Sequence, residues 1–160
     1  MSHMNHPAKL WRLAALLFLT VAVVTPAAEA GQNWRVRGTG TTEESGVSGT
    51  DLDFFSGQST LLGRYTGEGF HTLNEDFSFV GEATYTAANG DELDVVYSGQ
   101  LFPSDDPDFP FGFVATVHAV GGTGRLAKAR GTAVMTGGYE GKVPGKLYFN
   151  LEGTLHPQGK

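Results

Sequence analysis

At 160 residues the chain has the length of one domain, and it carries a net charge of −6 from 11 basic and 17 acidic residues. That balance, with no basic stripe to offset it, argues against a nucleic-acid partner. The chain holds no cysteine, so a disulfide framework and a thiolate metal site are both excluded.

The N-terminus reads as a targeting segment. Lys9 and Arg12 precede an apolar run over 13–24, and Ala28-Glu29-Ala30 supplies an A-x-A cleavage site. The run of 12 residues is short for a bilayer span, which takes roughly 20. The expectation is a cleavable signal peptide over 1–30 and a barrel domain over 31–160, secreted or periplasmic and free of the membrane after cleavage. All 23 glycines then lie in the mature part, whose net charge is −7.

Beyond residue 30 no helical periodicity with caps runs for ten residues. Short alternating runs broken by Gly, Asn, Asp and Pro instead predict an all-β sandwich or barrel. Strands are expected near 33–41, 59–66, 68–73, 77–86, 92–102, 112–120, 129–137 and 145–155, the second and third being one bent strand if Gly67-Glu68-Gly69 does not break them. The stretch 43–57 is polar and glycine-rich and reads as a loop, ending in Leu52, Phe54 and Phe55, which can tuck under a barrel end. Asn89-Gly90 marks a hairpin with a two-residue type I′ turn. That register sets Tyr85 opposite Asp94 and Glu82 opposite Tyr97, and gives both hairpin faces mixed polarity. Mixed faces fit a barrel with a partly polar lumen, and closure also removes exposed sheet edges. The segment 103–110, with three prolines, cannot continue a central strand and reads as a loop at a barrel mouth.

The run Gly121-Gly122-Thr123-Gly124-Arg125-Leu126-Ala127-Lys128-Ala129-Arg130-Gly131 sits between two alternating runs. It resembles the G-G-T-G-[RK]-F-x-x-A-x-G run of the allene oxide cyclase-like barrels, their dirigent relatives and small secreted bacterial barrels of that superfamily. In the bacterial proteins the run follows a hairpin like the one from Phe79-x-Gly81 to Asn89-Gly90-Asp91. The resemblance spans roughly 59–155 and departs at Leu126, where Phe is usual. It implies a single antiparallel eight-stranded β-barrel whose lumen holds a small apolar molecule, and it admits a homo-oligomer, since plant members are often trimeric. Plant enzymes of the group cyclise or steer radical coupling with lumen residues. Only the architectural run matches here, so no catalytic residue is carried over.

From the residues themselves, Phe77, Phe79, Tyr85, Tyr97, Phe102, Phe113 and Val117 are the expected ligand-binding lining. Glu82, Asp94 and His118 are the candidate catalytic groups, alongside His71, for acid/base work. No spacing among them has a metal-site signature, and no metal or other cofactor is expected. Asp105, Asp106 and Asp108 lack calcium-loop spacing and read as a solvated loop. Arg125 and Arg130 are expected to pair with loop acids, with a carboxylate ligand as the alternative. Three functions remain open on this reading: a small-molecule-binding barrel, a cyclase or isomerase working in the lumen, and a non-catalytic oligomeric scaffold.

Overall fold

A computed structural model describes residues 30–158, and the signal-peptide reading of 1–30 falls almost wholly outside them. Eight strands run in order around one closed antiparallel barrel: β1 (Gln32–Val47), β2 (Thr50–Ser59), β3 (Gly63–Leu73), β4 (Ser78–Ala87), β5 (Glu92–Pro103), β6 (Phe111–Gly122), β7 (Arg130–Tyr139) and β8 (Gly145–His156). Each strand pairs with its sequence neighbour, and β1 closes on β8 from Gln32↔Leu155 to Thr42↔Gly145. The chain therefore enters and leaves at the same end of the barrel. Along most strands inward residues are buried and outward ones exposed, the period-2 pattern of a sheet with one covered face. The outer wall carries Arg35, Arg37, Glu68, Glu82, Glu152 and many threonines beside exposed Phe54, Phe70, Val80, Val114 and Val134, whereas the lumen is largely apolar.

The glycine content has a steric cause inside the lumen. An eight-stranded barrel is just wide enough to be filled by side chains, so large residues cannot face one another at every level. Here Phe55 lies directly opposite Gly67, Tyr97 opposite Gly81, Phe79 opposite Gly99, Phe113 opposite Gly137 and Phe149 opposite Gly38. In each pair the ring covers the glycine so closely that a Cβ there would run into it. Ring-on-glycine pairing thus packs the wall and holds the register between neighbouring strands.

Two expectations need correction. The stretch 43–57 is not a loop: β1 continues to Val47 and β2 occupies Thr50–Ser59, whereas the alternative of one strand spanning 59–66 and 68–73 holds, as β3, which begins at Gly63. The pattern misled because β2 turns Asp53, Gly57 and Ser59 inward and Phe54 outward, so its polarity reads backwards. The Asn89-Gly90 connection has three residues, not two: Ala87 N–H donates to Asp91 O (2.9 Å), Gly90 N–H donates to Ala87 O (2.9 Å) and Gly90 has φ 85°. This is a turn closed by a left-handed glycine, which shifts the register by one residue. Tyr85 faces Leu93, Glu82 faces Val96, and the two sides of β5 exchange.

The two barrel ends differ. At the end where β1 begins and β8 finishes, Trp34, Val36, Leu93, Leu151 and Leu155 are all but completely buried and fill the lumen. The glycine-rich run closes this floor as a 3₁₀ turn over Gly124–Leu126 that tucks in Leu126 and Ala129. The run is fixed to the β4–β5 hairpin: Thr123 N–H donates to Glu92 O (3.0 Å), Glu92 N–H donates to Thr123 Oγ1 (3.0 Å), and Arg125 Nε pairs with Asp91 Oδ2 at 2.9 Å. Gly122, at φ 155°, lies against the Glu92 carbonyl where a Cβ would collide. Arg130 differs from expectation, because its guanidinium donates to the Val120 and Ala129 carbonyls, both at 2.6 Å, and not to an acid.

Candidate functional site

At the opposite end the lumen is not filled. Between the β1–β2, β3–β4, β5–β6 and β7–β8 connections lies a cavity of about 80 Å³ open to the mouth. One wall is aromatic: Phe55 packs on Tyr85 (ring centroids 5.0 Å) and edge-on to Phe149 (5.5 Å). The facing wall carries Phe79, edge-on to Tyr97 (6.2 Å) and Phe113 (6.1 Å). Leu73, Ala83, Leu101, Met135, Tyr139 and Leu147 complete the apolar lining.

Set into this apolar surround is one polar cluster, built around Asp53. Its Oδ1 accepts a hydrogen bond from Thr42 Oγ1 (2.8 Å), which is wholly buried. Its Oδ2 is bonded to His71 Nδ1 (2.7 Å), and Tyr97 OH lies farther off at 3.5 Å, shared with the Phe70 carbonyl at 3.3 Å. A carboxylate buried in such a place is tolerable because several donors satisfy it. Strand register produces the cluster: Asp51 lies directly opposite His71 and Asp53 opposite Gly69, so both acids flank the imidazole from β2. Asp51 Oδ2 stands 4.0 Å from His71 Nε2, nearer the rim.

These contacts set the proton affinities. Burial pulls the His71 pKa down, but the hydrogen bond to Asp53 and the charges of Asp53 and Asp51 outweigh it, leaving His71 above its ordinary 6.5. Tyr97 is raised well above 10 by burial first, then by the Asp53 charge. Tyr139 is pushed up to about 12, again by burial first and then by the charges of Asp51, Asp53 and Glu140. Tyr85 is raised by burial and by its neighbour Tyr65. It is 3 % exposed and lines the cavity.

Of the residues expected from sequence, Phe79, Tyr85, Tyr97 and Phe113 meet at this cavity. Val117 faces the lumen but is buried lower, in the filled part. Phe77 and Phe102 do not line it. Phe77 is 51 % exposed in the β3–β4 turn and stacks on Phe111, and Phe102, 47 % exposed, lies on the outer wall against Gly112 because the register shift turned that side of β5 outward. The same shift puts Asp94 outside, where it accepts from Thr84 Oγ1 at 2.7 Å. Glu82 is exposed on the outer wall, and His118 is outside too, bonded to Thr132 Oγ1 at 3.2 Å. None of the three candidate catalytic groups reaches the lumen, so no acid/base chemistry inside the barrel can use them. His71 does reach it, and its partners Asp53 and Thr42 lie on or beside the segment 43–57, whose polar, glycine-rich composition reads as a loop and hides them. A strand reading of 50–59 would have put Asp53 inward beside Phe55.

Among the described residues no three His, Cys, Asp or Glu side chains converge to hold a metal ion. Asp105, Asp106 and Asp108 are exposed in the β5–β6 loop, where Asp106 Oδ1 caps the Asp108 N–H at 2.9 Å. Comparison with known proteins adds no identity: no family model, curated protein or solved structure matches the chain.

Proposed function

We propose that the protein is an exported barrel that binds a small molecule with a compact apolar body in its open end. The observation that carries this reading is the asymmetry of the lumen: one end is packed shut, and the other keeps a cavity of about 80 Å³ walled by aromatic rings around a hydrogen-bonded Asp53–His71 pair. Concave, mostly apolar sites with a few convergent polar groups are where proteins take small ligands, and the mouth of a β-barrel is a recurrent place for one. The barrel's order and closure, with the Gly121–Gly131 run docked at the floor, support placing it beside the allene oxide cyclase-like barrels. Lys9, Arg12 and the apolar run 13–24 support export.

A second reading, proton-transfer catalysis in the same cavity, is favoured by one observation. His71 is braced by a carboxylate at 2.7 Å, the arrangement that orients an imidazole as a general base.

Ala83, on the cavity wall, provides the test. Native mass spectrometry of the protein as purified is expected to show a bound species, and Ala83→Leu should abolish it while far-UV circular dichroism stays unchanged. A folded Ala83→Leu variant that keeps the adduct would place the ligand elsewhere, and a wild type without any adduct that binds nothing from a small-molecule panel would refute the reading.

A further inference from the structure

Resting on the reading of the open end as a small-molecule site, we infer that the group received there is the cationic ammonium head, quaternary or protonated, of a small amine. The cavity lining contains no Lys or Arg, while Asp53 is set into its wall and Asp51 stands at the rim. Tyr139 on β7 lies in the same lining, and its proton affinity is raised by burial first and then by the charges of both carboxylates. Asp53 already accepts from Thr42 and His71, so it acts on a guest through its charge, and Asp51, nearer solvent, is the carboxylate left to approach it. A hydrocarbon would leave that negative field unanswered, and an anion would oppose it.

The walls agree with a cation. Phe55, Tyr85 and Phe149 on one side and Phe79, Tyr97 and Phe113 on the other surround the space. Aromatic faces attract ammonium groups, and more strongly where water is excluded. Tyr85, in the same lining, offers its hydroxyl lone pairs to an N–H, or its ring face to a quaternary charge. Size agrees as well: about 80 Å³ is roughly half of the ~150 Å³ cavity that takes up benzene, room for a compact head while the rest of the molecule trails through the mouth.

His71 makes the site sensitive to pH. The charged and titratable groups around it are Asp51 and Asp53 on β2, Tyr97 on β5 and Tyr139 on β7. When the imidazole takes up a proton it adds a positive charge beside the guest. Guest and proton therefore oppose each other, and by linkage each weakens the other by the same factor.

The experiment is a titration of the isotope-labelled protein by NMR with three compounds of one shape: choline, its uncharged isostere dimethylbutanol and the anion dimethylbutanoate. At pH 8 choline is expected to shift the Ala83 and Met135 methyl resonances and to bind roughly tenfold more tightly than the alcohol. Its affinity should fall as pH drops through the His71 midpoint, and saturating choline should lower that midpoint. Asp51→Asn should weaken choline several-fold and leave the alcohol unchanged. If the alcohol or the anion binds at those methyls as tightly as choline, the cationic reading fails and the cavity reading survives. If none of the three moves them, both fail.

Discussion

Replacing Asp53 by Asn tests the centre of the site with little change of shape. The amide oxygen can still accept from Thr42 Oγ1, but the charge that holds His71 is gone. A hydrogen bond to a charged group contributes roughly 1.5–3 kcal/mol and a neutral one roughly 0.5–1.5 kcal/mol. Because the His71 pKa is raised in the folded state, its contribution is fully present below the unfolded value near 6.5 and is lost as pH rises through the folded midpoint. Asp53→Asn should therefore cost more at pH 5.5, where the imidazole is cationic, than at pH 8.5, with a difference of about 1 kcal/mol. The Tyr97 contact, at 3.5 Å, is too long to add much. Urea unfolding followed by circular dichroism at both pH values measures the difference. An NMR titration should show the His71 midpoint falling in the variant, where burial is opposed by Asp51 alone. An equal cost at both pH values, with an unmoved midpoint, would refute the charge coupling on which the site is argued.

Three further outcomes are expected. Gly67→Ala puts a methyl group where the Phe55 ring stands, so the ring must shift; the expected cost is roughly 1–3 kcal/mol by thermal denaturation, with loss of ligand uptake and retention of the fold. Gly122→Ala meets the Glu92 backbone carbonyl at a positive φ, which no side chain can relieve, and should destabilise by at least roughly 1–3 kcal/mol, seen as a lower urea midpoint. Tyr65, Tyr85 and Tyr97 have raised folded-state pKa values, so stability should decline as pH rises past the ordinary tyrosine value of 10.0. Their phenolate absorbance should appear together with the loss of circular dichroism, and its appearance in a still-folded protein would contradict the burial described.

Much of the architecture was legible in the sequence, and the failures have definite causes. Strands β4, β6 and β8 place Phe79, Ala83 and Tyr85, then Phe113, Ala115 and Val117, then Phe149 and Leu151 on one face, and that alternation reads directly. Strand β2 was hidden because its inward face carries the polar groups of the site itself: Asp53 belongs there for the sake of His71, and local hydrophobicity has no means of showing a partner 18 residues away. The hairpin failed for a different reason. Asn-Gly suits a two-residue and a three-residue connection alike, and both faces of β5 carry apolar residues, Leu93 and Val95 on one and Val96 and Phe102 on the other, so nothing local ruled out the wrong register. His71 could be noticed as a titratable residue in a strand; its significance depends on contacts that only barrel closure supplies.

The pairing of first strand with last has a practical corollary. Residues 30 and 158 both hang from the packed floor, the end remote from Asp51 and Tyr139. A tether, fluorescent fusion or solid support joined at residue 30 or residue 158 thus leaves the opening pointing away from the attachment. Immobilised in this way, the barrel would stand like a cup on its base, its entrance free to sample passing solutes.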